Sequence, residues 1–213
     1  MPDTPPAPGF SDAAQTWNRR FSAQGFLFGT EPNEWLRRHA AELPAAAQVL
    51  CVADGEGRNS VFLARQGHRV MAFDVSAVAI EKARGLASRE GVSVDFALAD
   101  ADSFAWPQAS CDAVVAIFVQ FADPAMRERM FAHMVQALKP GGLLILQGYT
   151  PKQLDYRTGG PGVLSHLYTE PMLREAFDGL EFLQLEAYEA DLSEGSGHHG
   201  RSALIGLVAR RPA

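Results

Sequence analysis

Val49-Leu50-Cys51-Val52-Ala53-Asp54-Gly55-Glu56-Gly57-Arg58-Asn59, with Val70-Met71-Ala72-Phe73-Asp74 further along, is the stretch that decides the fold. The first segment reads as an apolar strand that enters a glycine turn and then a helix; the second reads as a strand ending in a carboxylate. Gly55 and Gly57 carry no Cβ, so the backbone there can pass close beneath a ligand. The helix after Gly57 presents free N–H groups in its first turn. Asp74 can accept hydrogen bonds from a ribose diol. This is the local layout for holding an adenosine, and both dinucleotides and S-adenosylmethionine are bound in this way.

Outward from that unit, short apolar strands alternate with helices, which implies βαβ units and a mostly parallel sheet. The pattern predicts strands at 49–53, 69–73, 93–97, 112–117, 142–148, 180–188 and 202–210. The expected fold class is therefore α/β, a Rossmann-like doubly wound seven-stranded sheet, mostly parallel, with a C-terminal antiparallel hairpin strand. Before it, Ser11 or Asp12 is expected to cap a short helix through Trp17 and Phe21, and Glu34 to Leu43 reads as a second helix stopped by Pro44. Arg58 to Gln66 ends at Gly67, Ser76 caps the next helix, and Asp123-Pro124 starts another. Met126, Met130, Met134 and Leu138 form a helical stripe that reads as core. Lys139-Pro140-Gly141-Gly142 reads as a tight turn, and the polar Asp191 to Gly200 as the loop that turns the last two strands antiparallel.

Bulk properties narrow the function. At 213 residues the chain fits one sizeable domain. A formal net charge of −6 opposes the general attraction to phosphate on which most nucleic-acid binding depends, and Arg19-Arg20, Arg37-Arg38 and Arg210-Arg211 are scattered pairs that read as solvated faces. Cys51 and Cys111 lie in apolar runs and read as buried free thiols. No apolar run approaches the roughly 20 residues of a membrane span. Residues 1–10 read as a disordered, proline-rich lead without the features of a signal peptide. Together these features lead us to expect a cytoplasmic protein, monomeric or homodimeric, with a small-molecule partner and no nucleic acid or membrane.

The glycine turn itself tilts the choice of cofactor. A dinucleotide fingerprint wants a third glycine where this chain has Ser60, and a pyrophosphate is poorly served by Asp54 and Glu56. S-adenosylmethionine has no phosphate and carries a sulfonium and an ammonium, so an acidic turn suits it. Asp100, after the third strand, can accept from the adenine amine while the Ala101 N–H donates to the ring. All these strand ends meet at the carboxyl edge of the sheet, where open α/β sheets bind ligands.

In this order of motifs, residues 45 to 211 resemble the class I S-adenosylmethionine-dependent methyltransferases. Typical members write the first motif as an acid, an apolar residue and then Gly-x-Gly-x-Gly; here Cys51 stands for the acid and Ala53 for the first glycine, a change tolerated where its φ is negative. Gly55-Glu56-Gly57-Arg58-Asn59-Ser60-Val61-Phe62-Leu63-Ala64, Trp17-Asn18-Arg19-Arg20-Phe21 and Phe28-Gly29-Thr30-Glu31-Pro32-Asn33 look like the tellurite-resistance and thiopurine methyltransferase-like subgroup. The resemblance implies an N-terminal helical lid segment at 11–44 over the methionine end of the cofactor and a methyltransferase domain at 45–213. With the sheet-edge placement, it assigns cofactor binding to Trp17, Ala53, Asp54, Gly55, Gly57, Asn59, Asp74, Val75, Asp100, Ala101, Ile117, Phe118 and Phe121.

Methyl transfer from a sulfonium is an in-line displacement that asks the protein for alignment and exclusion of water. Trp17, Arg20, Phe28, Phe118, Phe121, Tyr149 and Tyr156 are candidates for the acceptor pocket. Arg20, Arg201 and His198 are the candidate catalytic residues. The tellurite enzymes carry a His and two Arg in the matching hairpin; Ser193 stands at about the His position here and Arg201 matches one Arg. No buried acid–base dyad is evident, which leans toward a soft nucleophile such as a thiol or a selenium or tellurium oxyanion. A nucleotide-dependent oxidoreductase and a non-catalytic cofactor-binding protein are the alternatives, and no metal site is expected.

Overall fold

The central strands β1 (Gln48–Cys51) and β4 (Cys111–Ile117) are continuous apolar runs because both faces of the sheet are covered. Successive residues point to opposite faces: Val49, Cys51, Ala113 and Val115 enter one core, while Leu50, Val52, Val114 and Ala116 enter the other. The computed structural model describes residues 10–213. Its other strands are β2 (Arg69–Asp74), β3 (Asp95–Leu98), β5 (Leu138–Tyr149), β6 (Glu181–Glu194) and β7 (His198–Arg210). They form one seven-stranded sheet in the order β3-β2-β1-β4-β5-β7-β6. Pairing is parallel from β3 to β5, and β7 runs antiparallel to both β5 and β6. The chain reverses its direction of travel across the sheet between β1 and β4, the switch point at which such sheets open a crevice.

The helices are α1 (Phe10–Phe21), α2 (Glu34–His39), α3 (Arg58–Arg65), α4 (Ala77–Arg89), α5 (Pro124–Ala137), α6 (Gln153–Tyr156) and α7 (Glu170–Ala176). Trp35, Leu36, Val61, Leu63, Ile80 and Ala83 bring α2, α3 and α4 onto one sheet face; Met130, Phe131, Met134 and Leu173 bring α5 and α7 onto the other. The methionine stripe thus packs its middle into the core. Ser76 caps α4 by accepting from Ala79 N at 3.1 Å, and Asp123 caps α5 by accepting from Met126 N at 2.8 Å.

Four expectations shift. Helix α1 begins at Phe10, so Ser11 and Asp12 lie inside its first turn rather than at its cap; of the expected lead at 1–10, residues 1–9 lie outside the described residues. The Glu34–Leu43 helix is α-helical only to His39 and tightens to a 3-10 turn over Ala40–Glu42. Strand β5 starts at Leu138, because Leu138 already pairs with Cys111 before the Lys139–Gly142 irregularity. The largest change is at 191–200, which is not a loop: β6 and β7 stay paired from Glu181↔Arg210 to Glu194↔His198, leaving only Gly195-Ser196-Gly197 as the turn.

The turn after β1 is held by backbone bonds from Val52 N to Val115 O (2.9 Å) and from Asp54 N to Phe73 O (3.0 Å). Ala53 sits there at φ +46°, so the condition of a negative φ for replacing glycine is not met, and a side chain in the left-handed region costs about 1–2 kcal/mol. Gly57, at φ +89°, opens α3 against α4 so closely that a Cβ would lie 2.8 Å from the Ala83 Cβ. Ala53→Gly should therefore raise the urea midpoint by the equivalent of about 0.5–1 kcal/mol, the strain released less the entropy glycine adds to the unfolded chain. Gly57→Ala should lower it by about 2–4 kcal/mol, because strain and overpacking add. Equilibrium unfolding by urea with an unchanged m-value checks both.

Candidate functional site

A cavity of about 910 Å³ opens at the carboxyl ends of β1, β2 and β4, beneath α1 and the turn of the β6–β7 hairpin. Its size is that of a cofactor plus a small molecule. One half is acidic. Asp74, 6% exposed at the end of β2, accepts from Gly55 N and Ser76 N, each at 2.9 Å. Burial pushes its pKa up to about 6, although those backbone donors pull it down. Asp54 is pushed up to about 7 by burial, against the short Ser60 Oγ donation (2.5 Å), and the nearby Asp74 charge adds to the rise. Ser60 thus holds Asp54 at the position where a dinucleotide fingerprint would have glycine. Asp100 accepts through Oδ1 from Ser103 N (2.6 Å) and Asp102 N (3.1 Å), which folds the loop after β3 along the cavity wall.

The other half is aromatic. Phe118, which leaves β4 at φ +56°, stacks on Tyr149 at 4.7 Å between centroids. His198 closes the box, 4.3 Å from the Phe118 ring and 4.4 Å from Phe28. Tyr149 is buried, and its hydroxyl has no hydrogen-bond partner among the described residues. Burial first, and then the Glu194 charge, raise its pKa above the ordinary phenol value, so it stays protonated. Trp17 and Phe21 of α1 stack at 5.5 Å and extend the wall, with the Arg20 guanidinium 4.5 Å over the Trp17 ring.

A buried polar network holds the two halves and the lid together. Arg58, directly after Gly57, pairs with Glu194 at 2.8 Å; the Arg58 side chain is buried and that of Glu194 nearly so, at 11% exposed. Glu194 also accepts from Asn33 Nδ2 at 2.9 Å and faces His198 Nδ1 at 3.4 Å. Burial would raise Glu194, but the His198 hydrogen bond and the Arg58 charge hold it down at about 2. His198 is itself lowered from the ordinary imidazole value, chiefly by burial, with Arg58 and Arg20 adding to the fall and Glu194 opposing it. Asn33 continues the chain to Gln147 (2.6 Å), which donates to Tyr188.

Glu56 is buried and turned away from the cavity, accepting from Leu27 N (2.7 Å) and Lys82 (2.9 Å), while Lys82 also reaches the carbonyls of Ala23 and Gly25. The turn that was expected to set two carboxylates before a cation therefore sets Asp54 there and uses Glu56 to fasten the lid. Asn18 of α1 accepts from Ser76 Oγ at 2.7 Å and adds a second tether.

The structure brings Trp17, Arg20, Ala53, Asp54, Gly55, Asn59, Asp74, Val75, Asp100, Ala101, Ile117, Phe118, Phe121 and His198 to one cavity. It does not bring Gly57, Tyr156 or Arg201 there. Gly57 is packed on α4, Tyr156 donates to Glu189, and Arg201 is exposed and paired with Glu189 and Asp191, because alternation along β7 sends it to the outer face. The same alternation buries His198 and exposes His199. Asn59 lines the cavity, yet its Oδ1 is spent on Asn33 N at 3.0 Å. Sequence reasoning missed Glu194, Arg58 and Gln120, and it expected no dyad where Glu194 faces His198. The signal was Glu-Gly-Ser-Gly-His, which reads as a tight hairpin whose flanking residues become cross-strand partners.

Residues 49–142 match the family described as a methyltransferase domain. The tRNA 5-carboxymethoxyuridine methyltransferase of Escherichia coli (strain K12) is 29% identical over 154 residues, 66% of this chain and 56% of that protein. The thiopurine S-methyltransferase of Pseudomonas fluorescens (strain Pf0-1) is 28% identical over 65% of this chain and 72% of its own length. The chain spans just over half the length (56%) of the first of these curated relatives. Among solved structures, the N-methyltransferase NodS from Bradyrhizobium japonicum in complex with S-adenosyl-L-homocysteine superposes with a TM-score of 0.71 at 18% identity, covering 94% of this chain and 99% of that one. The match of residues 49–142 to a methyltransferase domain, the sheet order and the acidic switch-point turn together support a class I S-adenosylmethionine-dependent methyltransferase.

Proposed function

We propose that the protein transfers a methyl group from S-adenosylmethionine to a small organic molecule with a flat, apolar body. The observation that carries this reading is a single cavity with a carboxylate-lined half and an aromatic-walled half. The acidic half fits the cofactor by the chemistry of its donor set. Asp54 and Asp74 are both raised by burial and form no ion pair among the described residues, so a bound positive charge and a ribose diol supply what they need. Asp74 would hold the ribose, Asp100 and Ala101 the adenine, and Asp54 would face the cationic end. When bound, S-adenosylmethionine supplies an electrophilic methyl group and leaves as a neutral thioether. Phe28, Phe118 and Tyr149 orient the acceptor, offer cation–π stabilisation and exclude water. A pyrophosphate cofactor would instead meet two carboxylates at the turn.

The tellurium and selenium oxyanion reading keeps Arg20 at the cavity wall but loses two other cations in this geometry. Arg58 is spent on Glu194, and Arg201 on Glu189 and Asp191. An aromatic thiol or hydroxyl compound suits the box better. A tRNA acceptor, as named for one relative, would approach a chain of net charge −6, and the lid that covers this cavity favours a small molecule.

Calorimetric titration with S-adenosyl-L-homocysteine tests the cofactor half. Wild-type protein should bind, and Asp74→Asn should bind more weakly by about 1.5–3 kcal/mol through loss of a charged acceptor. No binding at millimolar ligand would remove the reading. The pH dependence follows from the two carboxylates. Their pKa values of about 7 and about 6 stand above the ordinary 3.8, so between those limits the ligand-free fold holds protons that the unfolded chain does not. Its stability therefore falls as pH rises through that window. A cationic ligand favours the ionised carboxylates, so S-adenosylmethionine affinity should rise from about pH 5 to about pH 8 with proton release, measured in buffers of different ionisation enthalpy.

A further inference from the structure

We infer that His198 is the general base of the transfer, taking the proton of a neutral protic acceptor held against Phe118 and Tyr149, with Glu194 as its positioning residue. This rests on the methyltransferase reading above and adds the acceptor's class: a phenol-like or thiophenol-like compound bound with its proton in place. His198 lines the cavity, yet its side chain is only 9% exposed. Its Nδ1 faces the Glu194 carboxylate at 3.4 Å, and Nε2 takes no hydrogen bond from any described residue. A carboxylate on Nδ1 fixes the tautomer with the proton there and leaves Nε2 as the free lone pair. Glu194 is kept ionised by Arg58 at 2.8 Å and cannot compete for the acceptor's proton.

The charges around the ring agree. Glu194 comes from β6, Arg58 from α3 and Arg20 from α1, while Tyr149 of β5 is uncharged; burial and the two arginines favour neutral imidazole over Glu194's opposition. A base that is neutral at physiological pH is ready to accept. In the balanced step, the acceptor's lone pair forms the new bond to the methyl carbon, the carbon–sulfur bond pair stays on sulfur, and the acceptor's proton passes to His198 Nε2 and on to solvent. No oxidant or reductant is needed.

The test compares wild-type protein with His198→Gln, a variant that can still donate to Glu194, using 4-nitrothiophenol (ionised at neutral pH) and 4-methoxyphenol (un-ionised) as acceptors. The expected result is a loss in kcat about 10²–10⁴-fold greater for the un-ionised acceptor than for the ionised one, with S-adenosyl-L-homocysteine affinity by calorimetry unchanged within about twofold. The wild-type acid limb for that acceptor should lie below the ordinary imidazole value of 6.5. Independently of turnover, nitrogen-15 NMR of His198 in the S-adenosyl-L-homocysteine complex should show a neutral ring protonated on Nδ1. Equal loss with both acceptors, no loss with either, or an imidazolium at neutral pH overturns the inference. If neither acceptor is turned over, the NMR result decides alone. Failure of wild-type protein to bind S-adenosyl-L-homocysteine would strike instead at the methyltransferase reading.

Discussion

The ion pair between Arg58 and Glu194 is the constraint on which the site depends. Arg58 is the first residue of α3, fixed by the glycine turn, and Glu194 is the last residue of β6, fixed by the hairpin. Their contact joins the cofactor turn to the C-terminal hairpin across a separation of 136 residues. A buried pair is weak evidence of stability, because desolvation offsets most of the Coulomb gain, but removing one partner strands a charge at a cost of about 3–5 kcal/mol. Its yield here is placement. Asn33 and His198 reach the same carboxylate, so the lid loop, the aromatic box and the sheet share one electrostatic hub. Lid closure then follows from packing: the Gly197 backbone lies so close to the Phe28 ring that a Cβ would come within 2.4 Å.

Strain is concentrated at the same place. Among the described non-glycine residues, only Ala46, Ala53, Ala109, Phe118 and Arg157 have positive φ, and Ala53 and Phe118 line the cavity. Each leaves a central strand at its carboxyl end, where the backbone must turn sharply to open the crevice. Such conformations persist only where surrounding contacts over-determine them. Phe118 is held between the Tyr149 and His198 rings, and Phe118 N donates to Gln147 O at 2.8 Å. Placing the aromatic wall therefore costs local backbone energy, which the doubly covered sheet offsets.

The parallel half of the fold was legible because its chemistry is local and repetitive. β1 and β4 bury both faces, so they read as apolar runs, and Ser76 and Asp123 announce their helices by capping. The placement of Asp74 and Asp100 on the cavity wall was legible because strand ends at a switch point border the crevice of such sheets. The antiparallel hairpin was legible, but its paired tip was not. Its inward residues, Glu194 and His198, are polar because they serve the site, so the hydrophobic alternation that marks a strand breaks where function enters. The φ of Ala53 was equally hidden: an alanine in a glycine's place says nothing of the backbone until the neighbouring strand is present. Arg201 misled because the family's spacing was read without the strand's period of two, which a fully paired β7 imposes.

Asp54 and Asp74 line the cavity while Glu56 and Glu194 stand behind its wall, and the protein sorts these four carboxylates by partner rather than by position in sequence. Glu56 and Glu194 are matched by Lys82 and Arg58, so they act as fasteners for the lid and the hairpin. Asp54 and Asp74 receive hydrogen bonds but form no ion pair among the described residues, and burial raises their pKa values to about 7 and about 6. An exchange of these roles would fail in both directions. A lysine opposite Asp74 would occupy cavity space and repel a cationic ligand, and an unpaired Glu194 would no longer be held ionised beside His198. Acidity in the glycine turn thus has two separate consequences: half of it closes the structure around the cavity, and half is left unsatisfied within it for a cation to complete.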